Sequence, residues 1–210
     1  MKIIITLIIC VASLLAEDNV GDISFQYGFL GQLKSSPDST VELSDSSIIH
    51  SDDKIIINVG YVNNTYFYLI YVDSEGIYDL YPEDLNPDSE QDIVYQRVLS
   101  GDLFGSIGLE TFYFINSKIQ QTELETLIAR YKKAPEKARV KLANRIQGMI
   151  DDLDPSTKGD LAFIPNRLDK PMVGGVAFRG DDDVLKDMSL THTCIGFNGI
   201  AFQKIVLNHQ

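Results

Sequence analysis

The chain has 210 residues, 44% hydrophobic and 23% charged, with 30 Asp and Glu against 18 Lys and Arg and a formal charge of −12. A chain of this size buries about 70% of its unfolded surface, enough for one or two packed domains, and its negative field excludes a nucleic-acid backbone as a natural partner. Two Cys and three His are too few for a disulfide framework or a Cys/His metal centre, and no cofactor is expected.

Met1-Lys2 precedes an apolar run over 3–15, then Ala16 and the acidic pair Glu17-Asp18. That is the pattern of a secretory signal peptide over 1–16, cleaved after Ala16. The run is about 13 residues, short of the roughly 18 that a permanent span requires. Cys10 lies inside it behind Leu7-Ile8-Ile9, without the small residue expected beside a lipidated Cys, and leaves with the leader. No later stretch is apolar enough to span a bilayer, so an exported protein, periplasmic or secreted, is expected. Cys194 is then its one thiol, and core packing must hold the fold.

Residues 17–53 are polar, with a Ser/Pro/Asp turn over 35–39 and a short alternation over 40–43; they predict a loosely held lead-in. A β-rich domain is placed at 54–208. Its first strand, over 55–62, is β-branched, and Asn63-Asn64 is a turn signal. Over 65–72, Tyr66, Tyr68, Ile70 and Val72 share one face and Phe67, Leu69 and Tyr71 the other. Both faces are apolar, as in a central strand covered on each side. Asp73-Ser74-Glu75-Gly76 is a loop from which residues 77–81 return antiparallel until Pro82 removes a ladder donor. Strands at 93–99 and 111–116 flank a glycine-punctuated segment.

The period then changes. Thr122-Glu123-Leu124-Glu125 fits a capping box, and Leu124, Leu127, Ile128 and Tyr131 recur at helical spacing. Pro135 can open a second helix at its first position, with Val140, Ala143, Ile146 and Ile150 as its stripe. A helical segment over 122–150 with a break near Ala134-Pro135 is predicted. Strand-like patches follow at 161–164, 173–178, 191–197 and 200–207. The fold class is α+β, mainly β: an antiparallel β-sandwich-like core with an inserted helical pair.

The run Tyr66-Phe67-Tyr68-Leu69-Ile70-Tyr71-Val72-Asp73-Ser74-Glu75-Gly76, then Leu80-Tyr81-Pro82, and later Gly108-Leu109-Glu110-Thr111-Phe112-Tyr113-Phe114-Ile115 with Ser117 and the helix bearing Leu124 and Leu127, resembles a bacterial domain-of-unknown-function family, number 4384. The resemblance spans residues 48–131. It implies an exported, β-rich accessory or interaction module, found in relatives beside caspase-like peptidase or signalling domains. It supplies no catalytic residue to carry over.

Motifs for phosphate loops, nucleophile elbows, zinc proteases and Cys-x-x-Cys redox sites are missing. The spacing of Gly101, Gly105 and Gly108 does not match a dinucleotide loop. His192-Thr193-Cys194 puts a base and a thiol on one face of a strand, the arrangement a thiolate nucleophile requires. Cys194 also sits beside Ile195 and Phe197, where a small buried hydrophobe is the ordinary reading. Asp152, Asp154 and Asp160, and Asp181, Asp182 and Asp183, are oxygen donors for a hard cation, but neither group has the spacing of a twelve-residue calcium loop.

The tyrosines at 66, 68, 71, 78 and 81 offer either a ligand platform or core and rim packing. Residues 118–145 carry eight cations against three Glu, a reversal of sign that points to a binding surface at Lys132, Lys133, Lys137 and Arg139. The reading is an exported, non-catalytic binding or accessory module whose partner is a protein or envelope component. Two alternatives stand beside it: an exported hydrolase using Cys194 with His192 or His209, or a metal-assisted acidic site, and a self-associating envelope structural protein. The oligomeric state is left open.

Overall fold

The computed structural model describes residues 23–76, 78–81, 93–103, 106–158, 166–167 and 190–210. The leader over 1–16, the strand patches at 161–164 and 173–178, and Asp160, Asp181, Asp182 and Asp183 lie outside them. In chain order the strands are β1 (Ile23–Gln32), β2 (Thr40–Glu42), β3 (Ile48–Ile49), β4 (Lys54–Val62), β5 (Tyr66–Val72), β6 (Tyr78–Tyr81), β7 (Ile93–Asp102) and β8 (Gly108–Ser117). The helices α1 (Thr122–Lys133) and α2 (Glu136–Leu153) come next, then β9 (Asn166–Arg167), β10 (His192–Gly196) and β11 (Ile200–His209). The fold is α+β, mainly β, with the helical pair inserted between β8 and the C-terminal strands.

The first sheet has the spatial order β7-β4-β1-β10-β9, with β2 also pairing to β1. The second runs β3-β11-β8-β5-β6, and β3 pairs in parallel with β11 while its other neighbours are antiparallel. Residues 23–32 are therefore no loose lead-in. Strand β1 is the middle of the first sheet, bonded to β4 on one side and to β10 and β2 on the other. Its alternation explains this: Ile23, Phe25, Tyr27 and Phe29 all enter the core between the sheets, as a period of two requires.

That core is aromatic. Phe25 packs edge-on to Phe67 and is stacked with Phe114, and Phe29 meets Phe112 and Phe114 edge-on, at centroid distances of 5.0 to 6.4 Å. Such pairs add about 0.5–1.5 kcal/mol each beyond the area they bury. The opposite face of the second sheet presents Tyr68, Ile70, Tyr113, Ile115 and Phe202 to Leu124, Leu127, Ile128 and Tyr131 of α1 and Ile146 and Ile150 of α2. The molecule thus has three layers, sheet on sheet on helices. Strand β5 is covered on both faces, as its doubly apolar pattern predicts.

The turns follow their residues. Gly76 closes the β5–β6 connection at φ +77°, and Asn64, at φ 68°, sits where the chain crosses from the first sheet (β4) to the second (β5). Ala134 and Pro135 separate the helices in extended conformation, with Pro135 as the residue preceding α2 rather than its first helical position.

The expected capping box does not form. Gln121 precedes α1 and no side chain caps it. The Tyr68 hydroxyl takes over instead: it accepts the Gln121 amide at 2.8 Å and donates to Glu125 Oε1 at 2.9 Å. A buried hydroxyl from the sheet needs partners more urgently than an exposed Thr122 does, and the helix start supplies both an orphan donor and a carboxylate.

Candidate functional site

The cationic segment separates into two groups. Lys132 pairs with Asp79 of β6, and Arg145 of α2 pairs with Glu123 of α1. Arg139 Nε donates to the Ala134 carbonyl at 3.0 Å while its guanidinium lies 5.8 Å from the centre of the Tyr131 ring. These cations tie the helices to each other and to the sheet. Lys132 and Arg139, two of the four expected binding residues, belong to this internal group.

Lys133 and Lys137 are exposed and make no ion pair with any described residue; Arg130 and Lys141 share that condition. Where α1 turns into α2, a cleft of about 510 Å³ is lined by Thr126, Ala129, Arg130, Lys133, Ala138 and Leu142, among others. Lys137 and Lys141 each stand one position before a lining residue of α2. Small side chains open the cleft, and Arg130 and Lys133 are the cations among its lining residues.

The His192–Cys194 arrangement does not make a nucleophile. Both residues lie on one side of β10, but Cys194 stands opposite Phe25 in the core and is 1% exposed. Its Sγ faces the Phe202 carbonyl at 3.5 Å, and burial pushes the thiol up, away from the thiolate. His192 instead pairs with Glu42 and stacks on Tyr27 at 5.0 Å. It lines a separate cleft of about 390 Å³ with Tyr27, Glu42, Asp45, Gln203 and Ile205 among its walls.

Of the acidic candidates, Asp152 and Asp154 are among the described residues, and they join no metal-binding group there. Asp152 lies in the last turn of α2, and Asp154, just after it, accepts the Ser156 amide at 2.9 Å. Among the described residues, no three His, Cys, Asp or Glu side chains gather as a metal ion requires.

The tyrosines act mainly as packing residues. Tyr78 donates to Gln147 at 3.0 Å and Tyr131 to the Gly76 carbonyl at 2.9 Å, each holding a helix against the sheet.

One polar chain was not anticipated. At one end of the inter-sheet core, Tyr71 on β5 donates to Glu110 Oε2 at 2.7 Å. Glu110 Oε1 on β8 lies 3.2 Å from His209 Nδ1 on β11. His209 Nε2 lies 2.9 Å from the Ser51 hydroxyl in the turn between β3 and β4. Glu110 and His209 are 1% and 0% exposed, whereas Ser51 is at the surface. Burial and the bond to Glu110 both raise the Tyr71 pKa, so the phenol stays a donor.

The pairing of β11 with β8 and β3 brings His209 to Glu110 and Ser51 rather than to Cys194. No local motif marks Ser51, Glu110 or Tyr71; the sheet register alone assembles them. No family model matches the chain, and no curated protein or solved structure matches it.

Proposed function

We propose that this chain is an exported binding module that captures an acidic protein segment carrying apolar anchors on its α1/α2 face. The observation that carries the reading is a cleft lined by small and apolar residues with the cations Arg130 and Lys133, and with Lys137 and Lys141 next in sequence to its lining residues Ala138 and Leu142, none of the four in an ion pair with a described residue, in a protein whose formal charge is −12. A cation on an otherwise acidic protein can recruit a carboxylate, and the apolar lining adds burial that a purely charged surface lacks. The signal-like leader and the resemblance to exported accessory modules agree with capture as the task. The burial of Cys194 speaks against a thiol hydrolase that uses it as nucleophile.

Fluorescence anisotropy with a labelled Glu/Leu-rich helical peptide tests it. Binding is expected to weaken at least tenfold in the triple variant Lys133→Glu, Lys137→Glu, Lys141→Glu and to fall with salt, because the screening length is only about 10 Å at 0.1 M. Equal binding by wild type and variant overturns the reading. Preferential binding to phosphatidylglycerol vesicles rather than the peptide overturns the choice of partner. N-terminal sequencing of the protein recovered outside the cytoplasm tests export, with Glu17 expected as the first residue.

A further inference from the structure

We propose that Ser51 is an activated nucleophile that is acylated by small carboxylic esters, with His209 as its general base and Glu110 as the residue that positions the base. A carboxylate only accepts hydrogen bonds, so the 3.2 Å contact to Glu110 assigns the proton of the neutral imidazole to Nδ1. The lone pair then sits on Nε2, 2.9 Å from the Ser51 hydroxyl, within reach for proton transfer. The second oxygen of Glu110 is held by Tyr71 at 2.7 Å, which fixes the carboxylate plane. Nucleophile, base and orienting acid occur in the relation that defines acyl-transfer triads on unrelated folds.

The burial gradient runs in the useful direction. Glu110 and His209 are inside and the hydroxyl is outside. A cleft of about 500 Å³ opens beside it, lined by Leu33, Lys34, Ser35, His50, Ser51 and Asp53. Ser51 is presented on a tight turn in which the Asp53 amide bonds to the His50 carbonyl and Asp52 takes φ 70°.

In the reaction, Ser51 Oγ forms a bond to the ester carbonyl carbon as His209 Nε2 accepts the hydroxyl proton. The bond to the alkoxy oxygen then breaks, and that oxygen leaves with the proton from the imidazolium. Water, deprotonated by His209, cleaves the acyl-serine to a carboxylic acid and regenerates Ser51. The backbone amides of Ser51 and Asp52 are engaged by the carbonyls of Gln210 and Leu103, at 3.4 and 3.2 Å. Lys34, paired with Asp52 at 2.7 Å, is a cation that lines the same cleft as Ser51. Without a dedicated pair of amides, a stabilisation worth about 10²–10³ in rate elsewhere is reduced in both acylation and deacylation, so turnover is slow and the fluorophosphonate, whose serine adduct does not hydrolyse readily, is the probe that traps Ser51.

The test is incubation of the mature protein with p-nitrophenyl acetate and with a fluorophosphonate probe, followed by intact mass and peptide mapping. One adduct per chain, on Ser51, is expected. It should vanish in Ser51→Ala, with an unchanged circular-dichroism spectrum showing that the variant is folded. Acylation in His209→Asn should slow by about 100-fold, the scale of a lost general base. Because a buried His can be needed for folding, Ser51→Cys supplies a second arm: its thiol should react with iodoacetamide at least tenfold faster than a cysteine placed at exposed Ser35.

The positioning role of Glu110 has its own readout, a downfield His209 Nδ1 proton resonance that Glu110→Gln abolishes. An unmodified Ser51, an adduct on another residue, or Ser51→Ala reacting as fast as wild type overturns the proposal. The charge-reversed α1/α2 variant should acylate normally, so failure of the capture reading and failure of this one are distinguishable.

Discussion

Replacing Tyr68 by Phe isolates the device that starts α1. Tyr68 is fully buried, and its hydroxyl both accepts the Gln121 amide at 2.8 Å and donates to Glu125 at 2.9 Å. A neutral hydrogen bond contributes about 1 kcal/mol net and one to a charged group about 1.5–3. Glu125 also bonds Gln120 and is partly exposed, so water replaces much of the charged bond once the hydroxyl is gone. The expected loss is then about 2 kcal/mol, or about 4–8 °C in Tm for a domain of this length.

Thr122→Ala is the control. A working capping box would make it cost about 1 kcal/mol, but Thr122 makes no cap bond, and its expected effect is under about 0.3 kcal/mol. Urea unfolding followed by circular dichroism measures both. A Thr122→Ala loss equal to or greater than that of Tyr68→Phe would refute the assignment of the cap to the sheet tyrosine.

Cys194 should resist thiol reagents in the folded protein and react only after unfolding, since its burial both blocks access and keeps it protonated; mapping of the labelled peptide checks this. Alkali should unfold the protein cooperatively. Tyr27, Tyr68, Tyr71 and Tyr78 all have folded pKa values raised above the ordinary 10.0, Tyr78 to about 12, with desolvation as the first cause. A raised folded pKa leaves stability intact below pH 10 and removes it as pH climbs above 10, because the unfolded chain then releases protons that the folded one retains. The part of the tyrosinate absorbance that Tyr→Phe substitution at 27, 68, 71 or 78 removes should appear together with the loss of circular dichroism; its appearance at pH 10 in the folded protein would contradict the burial. Phe114→Ala removes a fully buried ring that meets Phe25, Tyr27 and Phe29. It should cost about 3–5 kcal/mol in the same urea assay. Gly196→Ala should be at least as damaging, since its new Cβ would lie 2.0 Å from the Ile200 carbonyl oxygen; soluble protein with wild-type stability would show that the β10–β11 connection yields easily.

What could be read from the sequence depended on how local the determining physics was. Strand β5 announced its place because alternate residues were apolar on both faces, and only a strand covered on both sides tolerates that. The helix break at Ala134-Pro135 was equally local, since proline cannot continue the preceding helix. Strand β1 was obscured because a polar surround from 17 to 53 masked the alternation of Ile23, Phe25, Tyr27 and Phe29. The average composition of a segment hides a period of two that the individual positions contain. Local pattern also misled at Thr122, where a plausible cap motif lost to a tyrosine 54 positions away that the second sheet carries to the helix start. The same limit applies more strongly to Ser51 and Glu110, which lie 158 and 99 positions from His209. A lone serine in a polar turn carries no signal until the parallel pairing of β3 with β11 and the register of β11 on β8 set it over an imidazole.

The layering also determines how the two proposed sites relate. On β5, Tyr68 and Tyr71 send their hydroxyls to opposite sides of the second sheet, one to the start of α1 and the other to Glu110 in the inter-sheet core. Odd and even positions of a strand cannot exchange faces without a register slip, and a slip here would expose one aromatic set and bury the other against the wrong layer. The helical face and the Ser51 turn are therefore built on the same sheet but supported by different side chains, with no common hydrogen-bond partner among the described residues. Substitutions at the two tyrosines should then be close to additive. Among the described residues, capture of a partner on the helices would have no shared polar contact through which to move the Ser51 hydroxyl. The two proposed activities would then be separable properties of one scaffold, and coupling between them would require the sheet itself to shift rather than a side chain to relay the change.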